Sequence, residues 1–200
     1  MARMIGFDLD DVLMDFNTGL CVFHNAHYGT SLVREDITSY HLEETWGCDR
    51  EECIRRVGEF YNSPEHDATQ PILGAVKVVH ELQKDGASVV VITSRPESMS
   101  DQTFSWLKKH FPSLAKANSV HFTSHFFHKE TGVTKSDICR NLGVKVFVDD
   151  APFHVQDVAP VVEEVLLFDA PWNRGYVLTL QNIRRVHSWS EIHKILNRKS

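Results

Sequence analysis

Cysteine is scarce in this chain. There are four in 200 residues, Cys21, Cys48, Cys53 and Cys139, with no CxxC pair and no disulfide-scaffold spacing. They read as reduced thiols, which points to a cytoplasmic protein rather than a stapled secreted one. Long apolar runs are missing too, so no membrane span is expected. The N-terminus reads as no signal peptide, because "DLDD" interrupts any apolar core. Positive charge is in deficit: 21 Lys and Arg stand against 27 Asp and Glu, for a net charge of −6. That argues against a nucleic acid polymer or an anionic membrane surface as partner. Internal repeats and low-complexity tracts are absent.

What remains is ordinary globular composition, 42% hydrophobic and 24% charged. A chain of this length suits one domain with a small insert, and can bury about 70% of its unfolded surface without staples. Histidine is plentiful, at twelve. His121, His125 and His128 crowd together in "VHFTSHFFHKE", but no cysteine or acidic ligands are arranged around them. A strand end and loop with polar decoration is favoured over a zinc site.

Residues 3–7 form a short apolar run, read as a buried strand. Phe16, Leu20, Phe23 and His27 follow helical spacing, with Gly29 as the stop. Asp49 and Glu52 make a capping box for a helix with Cys53, Ile54, Val57, Phe60 and Tyr61 on its apolar face. Pro71 is placed as a first helical residue, with a stripe of Ile72, Ala75, Val76, Val79 and Leu82 ended by Gly86. Then "SVVVIT" reads as a strand covered on both faces. "SMSDQTFSWLKKHF" reads as a helix capped by Ser98 and Asp101, and stopped by Pro112. "SVHFT", "VKVFVDD" and "VEEVLLFD" are strands. "TKSDICRNLG" and "SWSEIHKILNRK" are helices. The expected fold is α/β: a Rossmann-like parallel sheet of about five strands with helices on both faces. Residues 15–71 break the alternation and look helical throughout. They are read as a small helical cap inserted into a core of residues 1–14 and 72–200.

The unusual feature is negative charge at strand ends. Asp8, Asp10, Asp11 and Asp15 follow the first strand within eight residues. Thr93 and Ser94 end the second strand, and Asp149 and Asp150 end the fourth. Lys135 opens the helix before that fourth strand. In an open parallel sheet these ends share one edge, where ligands bind. Two unit charges about 4 Å apart repel by roughly 4 kcal/mol at an effective dielectric of 20, so the carboxylates call for a cation. An all-oxygen set suits Mg²⁺. Mg²⁺ and Lys135 together would suit a dianionic phosphate. One carboxylate could then attack phosphorus while a second handles protons.

These residues resemble a known family. "FDLDDVL", "VVVITSR", Lys135 in "TKSDICRNLGV" and "VFVDDAP" are similar, in order and spacing, to the four motifs of the haloacid dehalogenase-like phosphatases. "DxDxVLxDF" with a short helical insert, "TSRP…WLKKHFP", "VDDAP" and "FDAPWNR…RVHSWSEI" resemble the 5'(3')-deoxyribonucleotidase branch. Asp11 departs from it, standing where that branch usually has Gly. The resemblance implies Asp8 as nucleophile, Asp10 as general acid and then base, Thr93 as phosphoryl ligand with Ser94 nearby, and Lys135 as charge neutraliser. It implies Mg²⁺ on Asp8, the Asp10 carbonyl, and Asp149 or Asp150. Phe16, Trp46, Ser94 and Arg95 are candidate substrate contacts. Phe16 and Trp46 could equally fill the core, and Arg95 could pair with a surface acid. Lys129 is the runner-up for the role of Lys135. The implied substrate is a small phosphorylated molecule, a nucleoside monophosphate, and a homodimer is left open. The alternatives are a phosphatase of another metabolite such as a sugar phosphate, an inactive phosphate-binding protein, and a receiver domain. Chain length, the insert and the paired DxD argue against the last.

Overall fold

The computed structural model describes residues 3–123 and 132–197. His125, His128 and Lys129 lie outside the described residues. The β-branched runs form strands β1 (Met4–Phe7), β2 (Ser88–Thr93), β3 (Val120–Phe122), β4 (Val146–Asp149), β5 (Glu164–Phe168) and β6 (Ile183–Val186). All neighbours pair in parallel in the order β3-β2-β1-β4-β5-β6. The sequence pattern led to about five strands, and the sheet has six among the described residues. The added strand is the edge strand β6, whose sequence IRRV carries two arginines between its apolar ends. An edge strand tolerates such polarity because it is covered less completely.

Side chains alternate across each strand, so β1, β2, β4, β5 and β6 each feed two cores. Ile5, Phe7, Val89, Val91, Val146 and Val148 belong to one cluster. There they meet α5 (Ala75–Lys84), α6 (Ser100–His110) and α9 (Trp189–Leu196). Val90, Ile92, Phe147, Val165 and Leu167 face the other cluster, with α7 (Lys135–Leu142) and α8 (Pro152–Val158). Burying each such side chain contributes about 1.5–3 kcal/mol, and burial on both faces explains why these strands read as unbroken apolar runs.

Between β1 and β2 lie α1 (Phe16–Tyr28), α2 (Leu42–Trp46), α3 (Arg50–Tyr61) and α4 (Pro64–Ala68). This segment is mainly helical, but residues 29–33 and 37–41 are extended or irregular. Its entry and exit run side by side: Asp15 N–H donates to the Gln70 carbonyl and Ile72 N–H to the Leu13 carbonyl, both at 2.9 Å. Asp49 caps α3, accepting from the Glu52 N–H at 2.9 Å. Gly29 and Gly143 end α1 and α7 in left-handed conformations.

Two expected helix starts are corrected. Pro71 pairs with Met14 in a β-bridge, and α5 begins at Ala75 after Gly74 at φ +91°. The Met14 and Pro71 backbones come together at the crossing point, which removes Pro71 from the helix. Ser98 sits inside a short 3-10 turn over Glu97–Met99, so α6 starts at Ser100. Among the described residues no helix is long and apolar enough to cross a membrane.

Candidate active site

β1 lies between β2 and β4. The chain winds from β1 outward to β2 and β3, then returns to β4 on the other side. A crevice opens at the carboxyl ends where the winding reverses. Asp8 stands there, its N–H donating to the Val148 carbonyl at 2.9 Å. Asp149 ends the adjacent β4. Register alone therefore sets these two carboxylates side by side.

Lys135 reaches them from the first turn of α7. Thr134 and Asp137 form a reciprocal capping box that fixes this helix start: Thr134 Oγ1 accepts from the Asp137 N–H, and Asp137 accepts from the Thr134 N–H, each at 3.1 Å. The Lys135 ammonium is 1% exposed, 2.8 Å from Asp8 Oδ1 and 2.7 Å from Asp149 Oδ2. Asp149 Oδ1 accepts from the Ala151 N–H at 2.9 Å. Asp150 Oδ2 accepts from Trp172 Nε1 at 2.7 Å, and its carbonyl accepts from Asn173 Nδ2 at 2.8 Å.

Asp8, Asp149 and Asp150 are all buried, and each offers an oxygen within 4.8 Å of the others'. Burial raises Asp8 to about 7; Lys135 opposes this, while Asp149 and Asp10 add to it. Asp149 is raised by burial against the pull of Lys135. Asp150 is raised well above the usual carboxylate range by burial, then by Asp149, Asp11 and Asp8. Burial pushes the Lys135 ammonium down, but Asp149 and Asp8 outweigh it and hold it charged. The one ammonium thus contacts two of these three buried carboxylates, and Asp150 is held by Trp172 instead. The uncompensated charge and the all-oxygen donor set fit a hard divalent cation.

Asp10 lines the same crevice but has a different cationic partner. Its carboxylate is held by Arg95, which donates from Nη2 at 2.6 Å and Nε at 2.9 Å. Asp11 has φ +56°, in the left-handed region that favours glycine. This accounts for the Gly of the resembling branch. Aspartate is tolerated because its short side chain bonds locally: Oδ2 accepts from Asn17 Nδ2 at 2.7 Å, and Arg34 Nε lies 3.4 Å from Oδ1. Burial lifts Asp11 to about 8, against the pull of Arg34.

A cavity of about 90 Å³ opens beside Asp8, Asp10 and Asp150, with Phe16, Ser94, Arg95 and Tyr40 in its walls. A neighbouring cavity of about 440 Å³ shares Tyr40, Leu42 and Ser94 with it. Ser94 Oγ lies 2.8 Å from His154 Nε2. Thr93 is fully buried, accepts from the Arg95 N–H at 3.2 Å, and is not among the lining residues. Trp46 stacks on His24 with centroids 4.5 Å apart, and lines neither cavity. Trp172, Asn17 and Tyr40 were not singled out from the sequence. "FDAPWNR" did carry a signal for Trp172. Tyr40 sits in an irregular stretch between helices, where no periodicity points to it.

A family model described as "5' nucleotidase, deoxy (Pyrimidine), cytosolic type C protein" matches residues 2–200. A 5'(3')-deoxyribonucleotidase from Bacillus subtilis is 24% identical over 201 residues, covering 98% of this chain and 99% of that one. The fold resembles a haloacid dehalogenase-like family hydrolase from Streptococcus pneumoniae, with TM-score 0.67 and 13% identity over 98% of this chain and 99% of that one. It also resembles a haloacid dehalogenase family hydrolase from Deinococcus radiodurans, solved with bound phosphate and sodium. There the TM-score is 0.66 at 14% identity, over 98% of this chain and 95% of that one. At such identities the structural matches speak for the fold alone, while the family match spans nearly the whole sequence. The chain belongs to the cytosolic type C family of 5' nucleotidases, deoxy (pyrimidine), and is a haloacid dehalogenase-like phosphoric monoester hydrolase.

Proposed function

We propose that the enzyme hydrolyses nucleoside monophosphates through an aspartyl-phosphate on Asp8, with Mg²⁺ as the cation. The observation that carries this reading is the Asp8–Lys135–Asp149 contact, 2.8 and 2.7 Å long, beside a cavity of about 90 Å³. A water occupies about 30 Å³, so the space suits a phosphoryl group, and the adjoining 440 Å³ has room for a nucleoside.

Asp8, Asp149 or Asp150, and the Asp10 carbonyl would hold the metal. When bound, Mg²⁺ would neutralise charge on the phosphoryl oxygens and the carboxylates. An Asp8 oxygen attacks phosphorus, and the bond to the leaving oxygen breaks as Asp10 gives that oxygen a proton. Water then attacks the phosphoryl group, Asp10 takes the water's proton, and the bond to Asp8 breaks. Lys135 holds Asp8 in line and stabilises charge built up on the transferring group. Ser94 lines the cavity at the end of β2 for the phosphoryl oxygens, with Thr93 buried behind it against the Arg95 N–H, and Phe16 offers an aromatic wall to the leaving group. Residues 15–71 act as a cap that closes over the substrate and excludes water.

The test is phosphate release from a panel of nucleoside and sugar monophosphates, with Mg²⁺ or with chelator, for wild type and Asp8→Asn. Turnover of nucleotides that requires Mg²⁺ and is abolished in Asp8→Asn is expected. Turnover of sugar phosphates only would overturn the substrate, and full activity in Asp8→Asn would overturn the mechanism.

A further inference from the structure

Arg95 follows the β2 end and is 1% exposed. Two of its five N–H donors go to the two oxygens of Asp10, a side-on fork. Nη1 donates to Thr103 Oγ1 of α6 at 3.1 Å. Nη2 also lies 3.3 Å from His66 Nε2 of α4, and the guanidinium sits 5.0 Å from the Tyr61 ring centre at the end of α3. Each neighbour fixes the plane of the guanidinium in a different direction. A buried guanidinium stripped of its carboxylate is strongly unfavourable, so Arg95 and Asp10 hold each other.

Sequence position suggests that Arg95 meets the substrate. The geometry points to a different role. We propose that Arg95 is a positioning residue for Asp10, and that its fork aims the Asp10 carboxyl at the leaving oxygen. The inference rests on Asp10 being the proton donor assigned above. A carboxylate has about four lone-pair sites, so two fork bonds leave others for proton exchange. Thr103 holds the fork from the core, whereas His66 and Tyr61 hold it from the segment inserted after β1. The aim of Asp10 thereby depends on how that segment sits. A phosphate ester whose leaving group needs a proton should feel the loss of this aim. An activated aryl phosphate, whose phenolate leaves unprotonated, should feel it little.

The experiment compares Arg95→Lys, Thr103→Val and Asp10→Asn with wild type on a nucleoside monophosphate and on p-nitrophenyl phosphate. Lysine keeps the charge and loses the fork. Loss of general acid catalysis is worth roughly 100-fold or more. Arg95→Lys and Asp10→Asn are each expected to lose that factor in kcat on the nucleotide, with KM within a few-fold, and far less in phosphoenzyme formation from the aryl ester. Thr103→Val, which touches neither substrate nor Asp10, is expected to show the same selectivity at smaller size. Equal losses on both esters for Arg95→Lys and Thr103→Val, or a loss carried by KM, would overturn the positioning role. If Asp10→Asn itself shows no leaving-group dependence, the proton-donor assignment fails, and the inference fails with it through its premise.

Discussion

Asp8→Asn should stabilise the metal-free protein while it removes the nucleophile. Asp8 is buried, and its carboxyl is raised from 3.8 to about 7, first by burial and then by its acidic neighbours against Lys135. Ionising such a group carries a cost on the order of 4 kcal/mol. The sign follows from the direction of the shift. Below about pH 4 the group is protonated in both folded and unfolded chains, and the cost vanishes. Between about 4 and 7 it grows, and above 7 it is complete. Asparagine keeps the shape and an oxygen for Lys135 but carries no charge. Allowing for relaxation and residual structure in the unfolded chain, a gain of about 2–4 kcal/mol at pH 8 is expected. For a chain of this size that raises Tm by roughly 5–15 °C. The assay is thermal and urea denaturation of both proteins in chelator, from pH 5 to pH 8.5. Saturating Mg²⁺ should narrow the gap, because a cation at 100 times its Kd adds about 2.7 kcal/mol to the protein that binds it. An Asp8→Asn protein less stable than wild type at pH 8 in chelator, or a difference independent of pH, would refute the electrostatic reasoning.

Other outcomes follow from the same geometry. Asp11→Ala loses the bonds to Asn17 and Arg34 that offset a side chain at φ +56°, and it also removes a carboxyl that burial raises to about 8. Near pH 4, where that carboxyl costs nothing to ionise, it should lose about 1–3 kcal/mol in urea denaturation, the loss should shrink or reverse toward pH 8, and Asp11→Gly should recover the backbone part. His66 is buried and lowered to about 4 by burial and Arg95. It stays neutral in the folded protein while the unfolded chain takes up a proton near pH 6.5. Its contribution is complete above 6.5 and is lost as pH falls toward 4, on the order of 3 kcal/mol. Denaturation of His66→Phe against wild type should show a difference that changes across that window. A flat difference would contradict the assignment.

The strand ends were legible because a buried strand is a conspicuous apolar run, so a carboxylate after it stands out. Asp8, Asp149 and Lys135 were placed by this logic together with the order of strands. Asp10 was legible as a residue but not as the partner of Arg95, which is 85 positions away and depends on how α6 and α4 converge. Asp11 shows the same limit. Its positive φ is imposed by the turn after β1, where its N–H donates to the Met14 carbonyl at 2.8 Å. The edge strand β6 was missed because Arg184 and Arg185 break its pattern. Arg185 in fact leaves the sheet face to bond Asp169 at 2.9 Å. Gly74 starts α5 where Pro71 had looked the better signal, since the chain crossing at Met14 takes Pro71 for the bridge. Trp46 carries an aromatic ring suited to a base, but only the fold reveals that His24 already stacks on it.

Covalent catalysis at Asp8 can be tested on the reacting enzyme. Wild type and Asp10→Asn, mixed with a turned-over monophosphate and Mg²⁺, would be quenched in acid within one turnover and digested for peptide mass spectrometry. A phosphoryl group is expected on the peptide carrying Asp8, formed as the alcohol is released and before free phosphate appears, and absent from Asp8→Asn. Phosphate and alcohol released together, with no adduct at Asp8 at any time, would contradict covalent catalysis there.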